Sequence, residues 1–264
     1  EPTTITVAAE PRTITEFITV TPSSSSAPPS TASRSPPAVG IIPAKAVWIA
    51  PGNMSDLSSF RVAKYAGGKQ IMKVVTGIPA KATADPSLPQ WDNASSALQL
   101  LFPENSIDPA NEPQGGADFY ATPIDISEAR NVTLRYSVFF PADFDWVLAG
   151  KLPGLYGGHT GCSGGNAALD CFSTRLMWRQ NGAGELYLYA PKDKQTKDLC
   201  DDPQSVCDAA YGLSVGRGSF SWTAGSWTTV EQTVYLNTPG SQDGGFALDV
   251  NGVRVLDRKD VFYR

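Results

Sequence analysis

Phe172-Ser-Thr-Arg-Leu-Met-Trp-Arg179, then Gln180-Asn-Gly-Ala-Gly184, then Glu185-Leu-Tyr-Leu-Tyr-Ala-Pro191 is the stretch that decides the fold. Two β-rich runs flank a Gly-rich turn, which predicts a hairpin. Side chains alternate across a strand, so Ser173, Arg175, Met177 and Arg179 share one face, and Phe172, Thr174, Leu176 and Trp178 the other. On the returning strand Tyr187 and Tyr189 share a face while Leu186 and Leu188 point away. Placing residue 179 opposite 185 sets 175 against 189 and 177 against 187. Ser173, Arg175, Tyr187 and Tyr189 then gather on one surface with an apolar layer behind. A one-residue slip would scatter them.

Outward from this hairpin the chain keeps period two. Leu98 to Phe102 is a short apolar run, Val132 to Phe140 alternates, and Trp227 to Leu236 is β-rich. Asn251-Gly252 between Val250 and Val253 is a strong type I′ hairpin signal. No long amphipathic helix stands out. Charged residues make up only 18% while Gly (24) and Pro (21) abound, which favours short strands and turns. The expectation is an all-β sandwich of the jelly-roll kind over residues 41–264, with patterning from about Val47.

Residues 1–40 differ: near-repeats of Thr-Ile-Thr precede a Ser/Pro/Thr tract from Thr21 to Pro37. So little apolar surface predicts a disordered, O-glycosylated linker. The chain begins at Glu1 without an initiator Met, as it would after removal of a secretion signal or at an imposed boundary. It stops at Val261-Phe262-Tyr263-Arg264, directly after a strand pattern, which suggests that final strands are missing.

A net charge of −5 argues against nucleic acid or an anionic membrane as partner. No apolar run is long enough for a membrane span, and a monomer is expected. Three sequons, at Asn53, Asn93 and Asn131, permit N-glycosylation on a secretory route. The cysteines form two close pairs, Cys162 with Cys171 and Cys200 with Cys207. Buried thiols are one reading, but a zinc site wants tighter spacing and His partners, and His159 is the only His. Two local disulfides are preferred, in a secreted, extracellular protein; three pairings are formally open.

An Arg, two Tyr and a Ser on one sheet face suit a sugar acid. Arg grips a carboxylate with two parallel hydrogen bonds, and Tyr or Lys can exchange protons beside it. The same residues also make ordinary cross-strand pairs, or a sugar-binding face without catalysis. Asp143 and Asp145, two apart, would suit a glycoside hydrolase if they shared a strand face. Neither a metal nor a cofactor is expected.

The motifs Asp143-Phe-Asp-Trp146, Lys151-Leu-Pro-Gly-Leu-Tyr-Gly-Gly158, Phe172 to Arg179 and Glu185 to Pro191 together resemble polysaccharide lyase family 14. Pro113-Gln-Gly-Gly-Ala-Asp-Phe-Tyr120 fits its fungal members. The likeness spans about 47–264 and is densest between 112 and 191. It implies a jelly-roll lyase that cuts alginate or glucuronan by β-elimination, an acidic polysaccharide being the one partner. In that family a Lys, a Ser-x-Arg strand and a Tyr-x-Tyr strand line the cleft; the matching positions, expected to be catalytic, are Lys151, Ser173, Arg175, Tyr187 and Tyr189. Around them Gln114, His159, Arg179 and Lys192 are expected to bind substrate, with Glu112 a further candidate.

Overall fold

The computed structural model describes residues 3–8, 46–77, 95–201, 204–207 and 210–264. Its strands are β1 (Thr3–Ala8), β2 (Val62–Gly67), β3 (Met72–Thr76), β4 (Ser96–Phe102), β5 (Asp118–Ala121), β6 (Asn131–Phe139), β7 (Ala149–Lys151) and β8 (Tyr156–Gly157). There follow β9 (Phe172–Arg179), β10 (Gly184–Tyr189), β11 (Leu213–Val215), β12 (Trp227–Tyr235), β13 (Gly244–Val250) and β14 (Val253–Val261). Among the described residues one α-helix, Lys197–Asp201, spans five residues, and no helix is long and apolar enough to cross a membrane.

Two sheets make the jelly-roll sandwich. The larger has seven strands in the order β14-β13-β12-β6-β1-β4-β3, and the smaller runs β11-β10-β9-β7 with β8 also on β9. A separate ribbon pairs β2 with β5. The core lies between the sheets. From the smaller sheet it receives the even-numbered Leu176, Trp178, Leu186 and Leu188, and from the larger Val230, Val234, Phe246 and Leu248. This alternation is what a half-buried sheet requires. The four runs read from sequence appear as β4, β6, β12 and the β13–β14 hairpin. Asn251 (φ 49°) and Gly252 (φ 80°) take the left-handed values that a type I′ turn demands.

Two expectations need correction. The β9–β10 register pairs Glu185 with Met177, Tyr187 with Arg175 and Tyr189 with Ser173, two residues from the expected alignment. The turn holds the left-handed Asn181 (φ 58°) and Gly182 (φ 78°), and Arg179 N donates to Ala183 O across it. The last turn thus closes on 179 and 183 rather than 179 and 185. A two-residue shift leaves every side chain on its face, so the odd-numbered cluster survives. Within the expected linker, Thr3–Ala8 forms a strand between β4 and β6; its Thr/Ile/Val content suits the pleated backbone. The rest of residues 1–40 and the sequon at Asn93 lie outside the described residues. Asn53 is exposed and Asn131 half-buried at the start of β6.

Candidate active site

The site occupies the outer face of the smaller sheet. Lys151 ends β7, which pairs with β9 so that Lys151 lies opposite Met177. After it the chain turns along β9: Leu152 N donates to Leu176 O at 2.8 Å, and Thr174 N to Leu155 O at 2.9 Å. Gly154 is needed here, because a Cβ would come within 2.5 Å of the Arg175 Cα and the Thr174 carbonyl. The Lys-Leu-Pro-Gly run therefore brings Lys151 and Arg175 to one surface.

Lys151 Nζ stands 5.7 Å from the Tyr187 ring centre. Burial and the charges of Arg175 and Arg179 lower its pKa, against weaker support from Asp108 and Asp118. The Arg175 guanidinium lies 5.8 Å from the rings of both Tyr156 and Tyr189. Its Nε and Nη2 are buried and hydrogen-bond to nothing among the described residues. Tyr187 and Tyr189 meet edge to face at 5.6 Å. Each phenol oxygen accepts a backbone N–H at 3.1 Å, Tyr187 from Gly212 and Tyr189 from Gly165. Burial, first, and the neighbouring Tyr189 push Tyr187 up to about 12. Ser173, fully buried, donates to the Cys162 carbonyl at 2.9 Å. The five expected catalytic residues thus share one face.

The four expected substrate-binding residues divide. Gln114 is half-buried with its Oε1 sealed off and unpaired among the described residues, in the loop that also carries Asp108. Arg179 lies 5.9 Å from the Tyr187 ring but is held by Glu185, its Nε donating to Oε1 at 2.9 Å. His159 is exposed, bonded to the Thr160 carbonyl and to Asp170, and these partners raise its pKa. Lys192 begins the turn Lys192–Lys194 beyond β10, which Gln195 ties to the Pro191 and Phe262 carbonyls. The hydrolase arrangement does not form: Asp143 and Asp145 are exposed outside any strand, and Asp145 caps its own turn by accepting from Val147 N.

Sequence reasoning missed two aromatic neighbours. Tyr156 faces Arg175, its pKa raised to about 12 by burial and lowered in part by that guanidinium, and Tyr120 packs edge-on against it at 5.1 Å. Gly157 lets Tyr156 lie against β9, since any Cβ there would strike the Phe172 ring.

Both disulfides form as expected, Cys162–Cys171 and Cys200–Cys207, with Cα–Cα distances of 5.9 and 5.6 Å. Three of the residues that could hold a metal, His159, Asp170 and Cys171, come together, but the Cys171 sulfur is spent in its disulfide.

With this geometry in hand, the comparisons are specific. The family model described as Polysaccharide lyase 14 matches residues 90–264. The chain belongs to polysaccharide lyase family 14. Its structure is similar to the crystal structure of the marine PL-14 alginate lyase from Aplysia kurodai, at 30% identity and a TM-score of 0.63, covering 79% of this chain and 77% of that one. It also shares the fold of the alginate lyase vAL-1 from a Chlorella virus, at 23% identity and a TM-score of 0.53, over 77% of this chain and 84% of that one. Among curated proteins none matches the sequence. The family 14 chain is accordingly a polysaccharide lyase, and the outer face of its smaller sheet is its candidate active site.

Proposed function

We propose that this lyase cleaves a uronic-acid polysaccharide of the alginate class by β-elimination, and that it works outside the cell. The observation that carries the reading is Arg175: a guanidinium with two buried, unpaired nitrogens between two phenol rings. Burying such donors without a partner is costly, and a substrate carboxylate supplies the partner. The similarity to an alginate lyase at 30% identity points to the same class of substrate, and two disulfides fit an oxidising compartment.

The reaction follows from the charges. Arg175 binds the carboxylate at C5 and stabilises the negative charge that builds on it as the C5 proton leaves. Lys151 takes that proton as the neutral amine, which partial desolvation and the charges of Arg175 and Arg179 make more accessible than in a free lysine. The C5–H electrons form the C4=C5 double bond, and the C4–O4 bond breaks. Tyr187, held protonated by burial, gives its proton to the departing oxygen. Tyr189 and Ser173 fix the phenol pair and the sugar.

The test is an ultraviolet absorbance assay with polymannuronate, polyguluronate and glucuronan. The expected result is an absorbing, unsaturated end on a polyuronate, lost in Arg175→Ala and Lys151→Ala while the fold persists. Saturated product ends, or near-normal rates in both variants, would sink the reading.

A further inference from the structure

The loop closed by Cys162 and Cys171 reaches the site residues through its backbone. Ser173 Oγ donates to Cys162 O at 2.9 Å, Gly165 N donates to Tyr189 Oη at 3.1 Å, and Gly161 N donates to Tyr120 Oη at 3.1 Å. Tyr120 in turn braces Tyr156. These are contacts to two of the five catalytic residues and to the aromatic pair behind Arg175.

The loop has no ladder to hold it. No strand or helix lies between Gly158 and Asp170. Gly161, Gly164, Gly165 and Ala168 all have positive φ, a backbone that little but local geometry would choose. Inside it the bonds are short-range, such as Asn166 N to Ser163 O and Ala168 N to Asn166 Oδ1, and the His159–Asp170 contact across its base is exposed to solvent. Its buried anchor is the disulfide. Cys162 and Cys171 are 0% and 2% exposed and pack with Ala168, Met177, Tyr187 and Tyr189 in a small apolar cluster, separate from the core between the sheets. Cys207 of the other disulfide packs instead against the main core.

We infer that the Cys162–Cys171 loop is a positioning device for catalysis: the disulfide holds the Gly165 N–H on the Tyr189 phenol and the Cys162 carbonyl on Ser173. This rests on the proposed roles of Tyr189 and Ser173. Without the bridge the loop samples other conformations, the phenol loses its donor and its fixed angle, and the sandwich core is untouched. Misplacement of this kind reduces turnover more than binding, because Arg175 and Lys151 are held by strand pairing and the Gly154 turn.

The experiment compares four proteins: the native enzyme, Cys162→Ala/Cys171→Ala, Cys200→Ala/Cys207→Ala, and Tyr189→Phe. Steady-state kinetics on a polyuronate are read across pH, with circular dichroism and thermal unfolding to follow the fold. For Cys162→Ala/Cys171→Ala the expected result is at least a tenfold fall in kcat, KM within threefold, and an intact far-ultraviolet spectrum. The Cys200→Ala/Cys207→Ala variant keeps kcat within about twofold and loses thermal stability instead. Native enzyme treated with dithiothreitol, which converts the bridge to two thiols, reproduces the loss, and reoxidation restores it. A reduced protein or a Cys162→Ala/Cys171→Ala variant with native kcat overturns the inference, as does one that unfolds outright, since the loop would then be part of the fold. Full activity in Tyr189→Phe sinks the proposed site, a separate failure.

Discussion

Arg175 and Arg179 stand on one strand, on one face, roughly 13 Å apart by strand geometry, yet their surroundings are opposite. Arg179 has a buried carboxylate at hand: Glu185, 0% exposed, takes Arg179 on one oxygen and Arg217 on the other at 2.8 Å, with Ser214 adding a hydrogen bond. Arg175 has two aromatic rings and no carboxylate among the described residues. The first cation is neutralised inside the protein and belongs to the structure. The second is neutralised only when something anionic arrives. A buried unpaired charge destabilises a fold, so keeping one on a sheet face is the mark of a binding site.

The sharpest way to break this comparison is Arg175→Ala. It should lower kcat/KM by about a hundredfold to a thousandfold, the scale of removing a principal charge-stabilising donor. Its unfolding free energy in urea should be unchanged or higher, because an unsatisfied buried group is gone. Arg175→Lys should recover little, since an ammonium cannot make the paired contact. A clear loss of stability in Arg175→Ala would show that Arg175 is structural after all.

Glu185→Gln makes the reverse trade. It leaves two guanidinium groups facing a neutral amide, and both are partly solvated, so the expected destabilisation is about 1–3 kcal/mol, less than for a fully buried pair. Activity at the pH optimum should fall only a few-fold. Chemical denaturation and absorbance kinetics on the same preparation measure both. Stability falling with Glu185 and activity with Arg175 would establish the division; equal effects on both would erase it.

Much of this was legible in the sequence, for a physical reason. Strand alternation does not depend on the exact register, provided the error is even. The pairing shift of two residues at Gln180–Gly184 therefore changed Arg175's partner from Tyr189 to Tyr187 without moving either off the face. Lys151 was identified by its family motif, and its approach to β9 follows from Gly154. What could not be read was the surrounding shell. Tyr156 sits in a strand of two residues with no period to declare it, and Tyr120 arrives from a ribbon in a separate sheet. Contacts such as Gly165 N to Tyr189 Oη depend on the path of an irregular loop, and no local pattern encodes that path. Nor did composition reveal the strand at Thr3–Ala8, since a Thr-rich segment reads as linker until a sheet offers it hydrogen bonds.

Lys151 carries the next prediction. As the base it acts only as the neutral amine, and its pKa is lowered from the usual lysine value. The rate should rise with pH and level off below the range of an ordinary lysine, and that limb should vanish in Lys151→Ala. Arg179 is one cause of the lowering, so Arg179→Ala removes a positive charge and raises the Lys151 pKa. The limb should move to higher pH by a fraction of a unit, and activity near neutrality should drop several-fold.

The finest distinction is between the two arginines on Glu185. They share a carboxylate, but Arg179 also lies over Tyr187 and acts on Lys151, whereas Arg217 contacts Ser214 and Glu185. Arg217 is the more exposed, at 39% against 26% for Arg179, and its replacement leaves Glu185 still held by Arg179 and Ser214. Arg217→Ala should therefore cost under about 1 kcal/mol of stability and leave the pH limb where it is, while Arg179→Ala moves it. Titrating the two variants side by side isolates the electrostatic reach of Arg179 from its role as a brace, because only the first differs between them. If both limbs move equally, the pair acts on the site through the position of Glu185 and β10, and the charge of Arg179 is not what tunes the base.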